Sequence, residues 1–263
     1  MEGKKYFAFV LAYFKQNLST AMEYRVNFIT QFFFMVLNDF FFILFWYFLF
    51  KKIDNINGWG FESSILLFAF AGLSYGFLDF FFGNWRELNK IIAEGSLDFH
   101  LALPKNELLH TMISKSNFSG MGDIVFGVCL FFLFGNMTMV SMGVLIIVTA
   151  TGTLVLFSTN LIFQSMAFYV GNAQGLSSAG MNFLTGFSVY PISIFDSTWR
   201  FIFYFVFPIA FITNVPVILL QSFSLFWLVA SIFASTSIFL VSLFIYKKGL
   251  KKYESGNLLN IRV

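Results

Sequence analysis

The sequence is poor in charge: Asp, Glu, Lys and Arg make up only 11% of its 263 residues, against about 25% in typical soluble domains. Hydrophobic residues make up 58%, more than a single soluble core of this length would bury, so the chain is expected to lie in a bilayer. One cysteine, Cys129, is present, which excludes a framework of intramolecular disulfides. The net charge of +3 is too small to indicate a nucleic-acid partner.

Motifs for several chemical activities are also missing. No Gly-x-x-x-x-Gly-Lys-Ser/Thr segment occurs, so the chain is not expected to hydrolyse ATP itself. Its two histidines, His100 and His110, have no cysteine or group of acids beside them, which disfavours a zinc site. We therefore expect no catalytic, metal-binding or cofactor-binding residues, and an intramembrane enzyme is the least favoured function.

Long apolar runs are what the sequence has in abundance, and phenylalanine alone supplies 42 residues. A helix needs about 20 predominantly apolar residues to cross a bilayer. Six runs approach that length: 27–50, 63–85, 118–134, 140–168, 176–192 and 217–246. The predicted fold is an all-α polytopic membrane protein, with residues 1–263 forming a single transmembrane domain of about six membrane-spanning helices.

The distribution of basic residues predicts the orientation of these helices. Of the 16 lysines and arginines, 13 lie before residue 27, within residues 86–116, or after residue 246. Because cytoplasmic segments are enriched in Lys and Arg, both termini and residues 86–116 are expected to face the cytoplasm. The chain is thus predicted to be a multi-pass protein of a cell membrane, with a bacterial plasma membrane favoured.

Three segments outside the apolar runs have predicted roles. Residues 1–26 contain apolar positions every three or four residues, which indicates an amphipathic helix lying along the membrane surface. Residues 191–216 are apolar but broken by three prolines, which predicts two short re-entrant helices in the outer leaflet. Asp196 and Arg200, four residues apart, could pair there on one helical turn. Residues 247–263 form a basic cytoplasmic tail.

The longest hydrophilic connection is residues 86–116. Gly95 is placed to end a short helix, and Ser96 or Asp98 is a possible cap for a second helix. The two helices carry apolar residues expected to be exposed: Ile91, Ile92, Leu97, Phe99, Leu101 and Leu103. Docking of this loop to a cytoplasmic protein is favoured over an amphipathic loop resting on lipid.

Four passages, taken in order, carry a family resemblance. They are Glu94–Asp98 with Leu101 and Leu103–Pro104, then Gly122–Asp123, then Tyr190–Phe195 with Pro208 and Pro216, and finally the tail Gly249–Gly256. Together they resemble the integral membrane permeases of type-2 ATP-binding-cassette exporters, in particular the compact six-helix permeases encoded apart from their ATPase. The resemblance covers essentially the whole chain, although Asn257 stands where the tail usually has a second glycine.

The resemblance implies a function and its partners. A coupling helix within residues 86–104 would dock in a groove of a cytoplasmic ATPase dimer, which would bind ATP and Mg. Two permease chains, identical or related, would pair around a central route for a hydrophobic or amphipathic substrate, and membrane lipids would surround them. The helix at residues 4–22 would be a second contact at the membrane surface. The residues implied to couple to the ATPase are Ile91, Glu94, Gly95, Leu97, Asp98, Leu101 and Pro104.

Acidic residues within the apolar runs are the remaining candidates. Asn38 and Asp39 lie near the middle of the first run, where a charge is costly unless it faces the bundle interior or a wet cavity. They are predicted to lie on the translocation route or at the permease interface, and a protonated, hydrogen-bonded carboxyl is the alternative. Asp79 and Asp123 are expected to be solvated or paired with Arg86. An ion-coupled carrier that uses Asp39 and Asp79 is the rival transport mechanism.

Overall fold

The computed structural model describes residues 2–254, and the end of the predicted tail, residues 255–263, lies outside the described residues. This part of the chain is all-α, without a strand. Single turns of 3-10 helix (Ile192–Ile194, Ile209–Phe211) and of π-helix (Ile202–Val206) occur in the proline-broken segment. The α-helices are α1 (Glu2–Glu23), α2 (Arg25–Phe50), α3 (Phe61–Phe81), α4 (Leu88–Ala93), α5 (Leu97–Leu101), α6 (Glu107–Ile113), α7 (Gly120–Phe134), α8 (Met139–Ser165), α9 (Ala167–Val170), α10 (Gln174–Ser188), α11 (Ser197–Phe201), α12 (Asn214–Gln221) and α13 (Leu225–Leu250).

Each predicted apolar run overlaps with one of the longer helices. Four helical stretches are long and apolar enough to cross a membrane: α2, α3, α8 with α9, and α13. The helices α7 and α10 match two further runs with 15 residues each. The predicted boundary before the last run is wrong, because the chain breaks at Ser222–Ser224 between α12 and α13. Serine favours turns over helix interiors, so α12 belongs with the proline-broken segment.

Helix α3 is the centre of the bundle. Its residues Ile65, Leu67 and Phe70 are fully buried, and α3 packs along α7 and against α8. Contact with α7 is close because glycines face each other: a Cβ atom added to Gly76 would lie 2.7 Å from the carbonyl oxygen of Gly120. Small residues of this kind let helix backbones approach in a membrane.

Large exposed apolar side chains concentrate on the outer helices. On α2 they include Phe33 and Phe41, and on α13 they include Phe233 and Phe244. A surface of this size and composition cannot face water. The arrangement therefore suits a bundle whose outer helices face lipid while α3 is enclosed by protein.

Two findings about aromatic and polar side chains differ from what their positions in the sequence suggest. Trp46, Trp85 and Tyr246 lie near the ends of apolar runs, where aromatic residues often anchor a protein at the bilayer surface, yet all three are buried in the core. The Asp196–Arg200 ion pair is not formed, although both residues are described. The Asp196 carboxylate accepts the Trp199 N–H at 3.0 Å, and Arg200 donates to the backbone carbonyls of residues 193 and 195.

Candidate functional site

The loop between α3 and α7 folds into three short helices, of which α4 and α5 form the candidate docking segment. Gly95 lies just after α4 with a φ of +76°, a left-handed conformation that glycine adopts without steric cost. The prediction that Gly95 ends the first helix is therefore confirmed. Ser96 stands at the N-cap of α5 but makes no side-chain capping hydrogen bond, so its predicted role as a cap is wrong.

The apolar side chains of this segment divide into two sets. Ile92 and Leu97 are both 0% exposed and belong to the main hydrophobic core, so the expectation that they are exposed is wrong. Phe99 is 64% exposed, and Leu101 and Leu103 are also exposed. We call these last three residues the Phe99 patch. Of the other implied coupling residues, Ile91 is half-buried and Glu94, Asp98 and Pro104 are exposed.

Two buried amides on α8 hold the start of α4. The Gln164 side chain accepts the Asn89 backbone N–H at 2.8 Å and donates to the Arg86 carbonyl at 3.1 Å. One turn earlier, the Asn160 amide donates to the backbone carbonyl of Trp85. These two side chains form hydrogen bonds between elements, as polar residues on packed membrane helices often do.

On its other side the same stretch is bound to α3. The Asp79 carboxylate accepts the Trp85 indole N–H at 2.5 Å and pairs with the Arg86 guanidinium at 3.1 Å. The Arg86 guanidinium also lies 4.7 Å from the centroid of the Trp85 ring. The predicted pairing of Asp79 with Arg86 is confirmed. Residues 85–89 are thus fastened to two long helices, to α3 through side chains and to α8 through the backbone.

The chain after α13 also contacts the candidate docking segment. The Tyr253 ring lies 6.1 Å from that of Phe168 on α9, and its hydroxyl lies beside Asp98. Burial, and then the neighbouring Asp98 carboxylate, raise the pKa of Tyr253 to about 12. Part of the predicted tail is therefore packed against the protein, a contact that its basic composition did not indicate.

Helix α1 packs on the same loop rather than standing alone. The Tyr13 hydroxyl lies 2.6 Å from Nε2 of His110, and the Asn17 amide donates to the Ile113 carbonyl at 3.2 Å and to the Ser116 hydroxyl at 3.0 Å. The Lys105 ammonium lies 4.6 Å from the Tyr6 ring. The amphipathic pattern predicted this helix, but the partners of its polar side chains lie nearly a hundred residues away.

The two histidines form an uncharged buried cluster at this contact. Their ring centroids are 4.5 Å apart, and both residues are buried. Burial, followed by the neighbouring His110, lowers the pKa of His100 from 6.5 to about 4. Burial also lowers the pKa of His110. Below pH 6.5 the unfolded chain therefore binds protons that the folded protein does not. The free energy of unfolding consequently decreases as the pH is lowered.

We expect the melting temperature of the purified protein in detergent to drop between pH 7 and pH 5. The substitution His100→Phe keeps an aromatic ring at this position but removes the titratable group. The melting temperature of this variant should drop by less over the same pH interval. The remaining drop would include the contribution of His110. Thermal unfolding of both proteins at the two pH values measures the difference, and an equal drop would contradict a protonation cost at His100.

A cavity of about 420 Å³ lies between α2, α3, α7 and α10. It is lined by Asp39 and Asp123, whose carboxyl groups hydrogen-bond to each other, and by Tyr75 and Arg86. Asn38 is exposed and does not line the cavity as described. Of the two neighbouring residues predicted together, Asp39 therefore faces this cavity and Asn38 does not. The structure also places Asp39 beside Asp123, a pairing that sequence reasoning missed.

Comparison with known proteins identifies the family. A search of curated proteins and a search of solved structures each find no match. The family model described as ABC-2 family transporter protein matches residues 24–256, which includes all six apolar runs, the loop with α4 and α5, and the proline-broken segment. The chain belongs to the ABC-2 family and is a membrane permease component of an ATP-binding-cassette transporter.

Proposed function

We propose that this permease exports a hydrophobic or amphipathic substrate, driven by a separate cytoplasmic ATPase dimer that docks on the α4–α5 segment. The observation that carries the proposal is the Phe99 patch: apolar side chains exposed on a segment whose other face is fastened to α3 and α8. ATP and Mg would be bound by the ATPase, since this chain contains no phosphate-binding loop. A second permease chain, identical or related, would complete the transporter.

The contacts of the segment support a mechanical role. A loop that only rested on lipid would need no connection to the core, whereas here Ile92 and Leu97 are buried and residues 85–89 are hydrogen-bonded to two long helices. Closure of the ATPase dimer around ATP would displace the docked segment. These connections would pass the displacement to the membrane helices and change the side from which the route is open.

The positions of the charges support the orientation of the proposal. The loop with α4 and α5, the start of the chain and its end carry most of the basic residues, and such segments favour the cytoplasmic side. The packing of α1 and Tyr253 on this loop brings all three segments to one end of the bundle. We therefore propose that both termini are cytoplasmic in a cell membrane and that α1 is a second contact at its surface.

The cavity at Asp39 is the proposed polar point on the translocation route. Carboxyl groups within a membrane bundle usually mark a wet cavity or a substrate pathway, and here Asp39 and Asp123 line one of about 420 Å³ with aromatic walls that include Phe42 and Phe126. Such a lining suits a molecule with both apolar and polar parts.

Phe99→Asp tests the docking proposal. The side chain is exposed, so the substitution should leave the melting temperature nearly unchanged, while a charge placed in an apolar interface should weaken ATPase binding by about tenfold or more. The measurement is the amount of ATPase retained by tagged permease after co-expression and purification in detergent.

Phe99→Leu is the matched control, because it keeps an apolar side chain in the patch and should retain the ATPase. Equal retention by Phe99→Asp and the native chain would contradict docking at this patch. Substrate transport by the purified permease without any ATPase would instead favour the ion-coupled carrier, with Asp39 and Asp79 as its coupling residues.

A further inference from the structure

The N-terminus of α4 has no local cap. Glu87, at the N-cap position, makes no side-chain capping hydrogen bond, although the first backbone N–H groups of any helix have no partner within the helix. The N–H of Asn89 is one of these groups, and it is satisfied by Gln164 of α8 at 2.8 Å. A long helix therefore supplies the cap of a short helix 75 residues earlier in the chain.

The two amides that bind this stretch make three hydrogen bonds to it and one to each other, from the Gln164 amide to the Asn160 carbonyl oxygen at 3.4 Å. Asn160 and Gln164 are buried, one turn apart on α8, and contact the carbonyls of residues 85 and 86 as well as the Asn89 N–H. A buried amide or backbone group that loses its partner costs free energy. Displacing α4 without α8 would break all three contacts at once, so the least costly displacement moves both.

The connection to α3 is of a different kind. It runs through the side chains of Trp85 and Arg86 to Asp79, and the Arg86 side chain is 48% exposed. A long, partly exposed side chain can change rotamer while its backbone moves. The bonds to α8 fix the backbone of the segment itself, so α8 is the helix that must follow it.

Helix α8 in turn contacts the proline-broken segment. A Cβ atom added to Gly152 would lie 3.3 Å from the carbonyl oxygen of Ile212, next to the second 3-10 turn. The Thr153 hydroxyl also points to the Ser74 carbonyl of α3, at 3.5 Å. A displacement of α8 at Gln164, near one end of the helix, would therefore reach the proline-broken segment through the contact at Gly152 in the middle of the helix.

We propose that Asn160 and Gln164 are positioning residues that transmit the displacement of the α4–α5 segment to α8. The inference rests on the proposed function, because it needs a partner that moves the segment. It goes beyond that function by assigning the transmission to one helix and two amides. Neither residue contacts the ATPase in this scheme; both act through the backbone of residues 85–89.

Distances between spin labels test the proposal in the complex of this permease with its ATPase. The single native cysteine allows a cysteine-free background, Cys129→Ser. Labels at Phe41→Cys on the peripheral helix α2 and Ser96→Cys at the N-cap of α5, outside the Phe99 patch, report the docking segment. Labels at Phe41→Cys and Val140→Cys, at the start of α8, report that helix. All three side chains are exposed, and each pair is measured without nucleotide and after trapping with ATP, Mg and vanadate.

In the native background we expect both distances to change on trapping. In Gln164→Met, which keeps the length of the side chain and removes its hydrogen bonds, the Ser96 distance should still change and the change at Val140 should be lost. Asn160→Ala removes the contact to the carbonyl of residue 85 and the hydrogen bond that Asn160 accepts from the Gln164 amide, but it leaves the Gln164 contacts with the segment, so it should reduce the change at Val140 in part. That milder variant carries the test if Gln164→Met does not assemble.

Ser165→Ala is the matched control. Its hydroxyl is buried on the same turn of α8 but donates to the Leu161 carbonyl of its own helix at 2.6 Å, so both distance changes should remain. An undiminished change at Val140 in Gln164→Met, with a lower melting temperature, would overturn the proposal and leave Gln164 as a cap only. A native complex in which the Ser96 distance never changes would overturn the proposed function, and this inference with it.

Discussion

Gly76→Val should destabilise the permease by about 3 kcal/mol or more, at the upper end of the cost of overpacking. The first atom of the new side chain would lie 2.7 Å from the carbonyl oxygen of Gly120 and 2.9 Å from the backbone nitrogen of Ile124. Both are backbone atoms of α7, which cannot move aside as a flexible side chain would. The helices α3 and α7 would have to separate, and α3 is the centre of the bundle.

Gly143→Val is the control for this prediction. Gly143 lies in α8, where an added Cβ would meet no atom within 4 Å, so the two variants share the cost of a β-branched residue in a helix and differ in the contact. Melting temperature and the monodisperse fraction in detergent should fall for Gly76→Val and stay near native for Gly143→Val. Equal losses would show that the α3–α7 contact is not the cause.

The close α3–α7 contact shows what the sequence can and cannot predict about packing. Apolar runs predicted both helices, because their length and composition are local properties. The pairing of Gly76 with Gly120 depends on which helices become neighbours and at what register, and neither property is encoded within one run. The same reasoning applies to Asp39 and Asp123: each was recognised as a polar residue in an apolar run, but their hydrogen bond depends on the α2–α7 contact.

Short helices set a second limit on prediction. Gly95 was predicted to end α4, because a left-handed glycine after a helix is a local feature. The burial of Ile92 and Leu97 was missed, because α4 and α5 have six and five residues, too few for a periodic pattern to define a buried face. The cap from Gln164 was missed for a related reason: capping rules examine neighbouring residues, and this cap comes from another helix.

Burial of aromatic residues near the ends of helices follows the same logic. Trp85 lies at the end of an apolar run, a position typical of tryptophans at the bilayer surface. Instead its ring is buried and its indole N–H is satisfied by Asp79. A tryptophan side chain needs an apolar environment for its ring and one acceptor for its indole N–H. A buried carboxylate provides that acceptor as well as the membrane–water interface does. Composition alone does not distinguish these two environments.

Gly95→Pro should abolish the coupling of ATP hydrolysis to movement of the membrane helices while leaving the bundle folded. Proline fixes φ near −65°, whereas Gly95 has a φ of +76°. The substitution also removes the Gly95 N–H that donates to the Ile92 carbonyl at 3.2 Å. The turn between α4 and α5 would be rebuilt, which changes the direction of α5 and displaces the Phe99 patch from its proposed partner.

A graded series at this position separates backbone conformation from a general effect of mutation. Asparagine tolerates the left-handed region and should retain most coupling. Alanine should destabilise the turn by about 1 kcal/mol and retain an intermediate degree of coupling. Proline should retain no coupling.

Coupling is measured as the nucleotide-dependent distance change at Val140, with hydrolysis and melting temperature recorded for each variant. Since the α3–α7 contact lies outside this turn, the bundle should stay folded, and the melting temperature should fall moderately in the proline variant because redirecting α5 disturbs the buried Leu97. A proline variant that couples as well as the asparagine variant would show that the turn does not orient the docking surface.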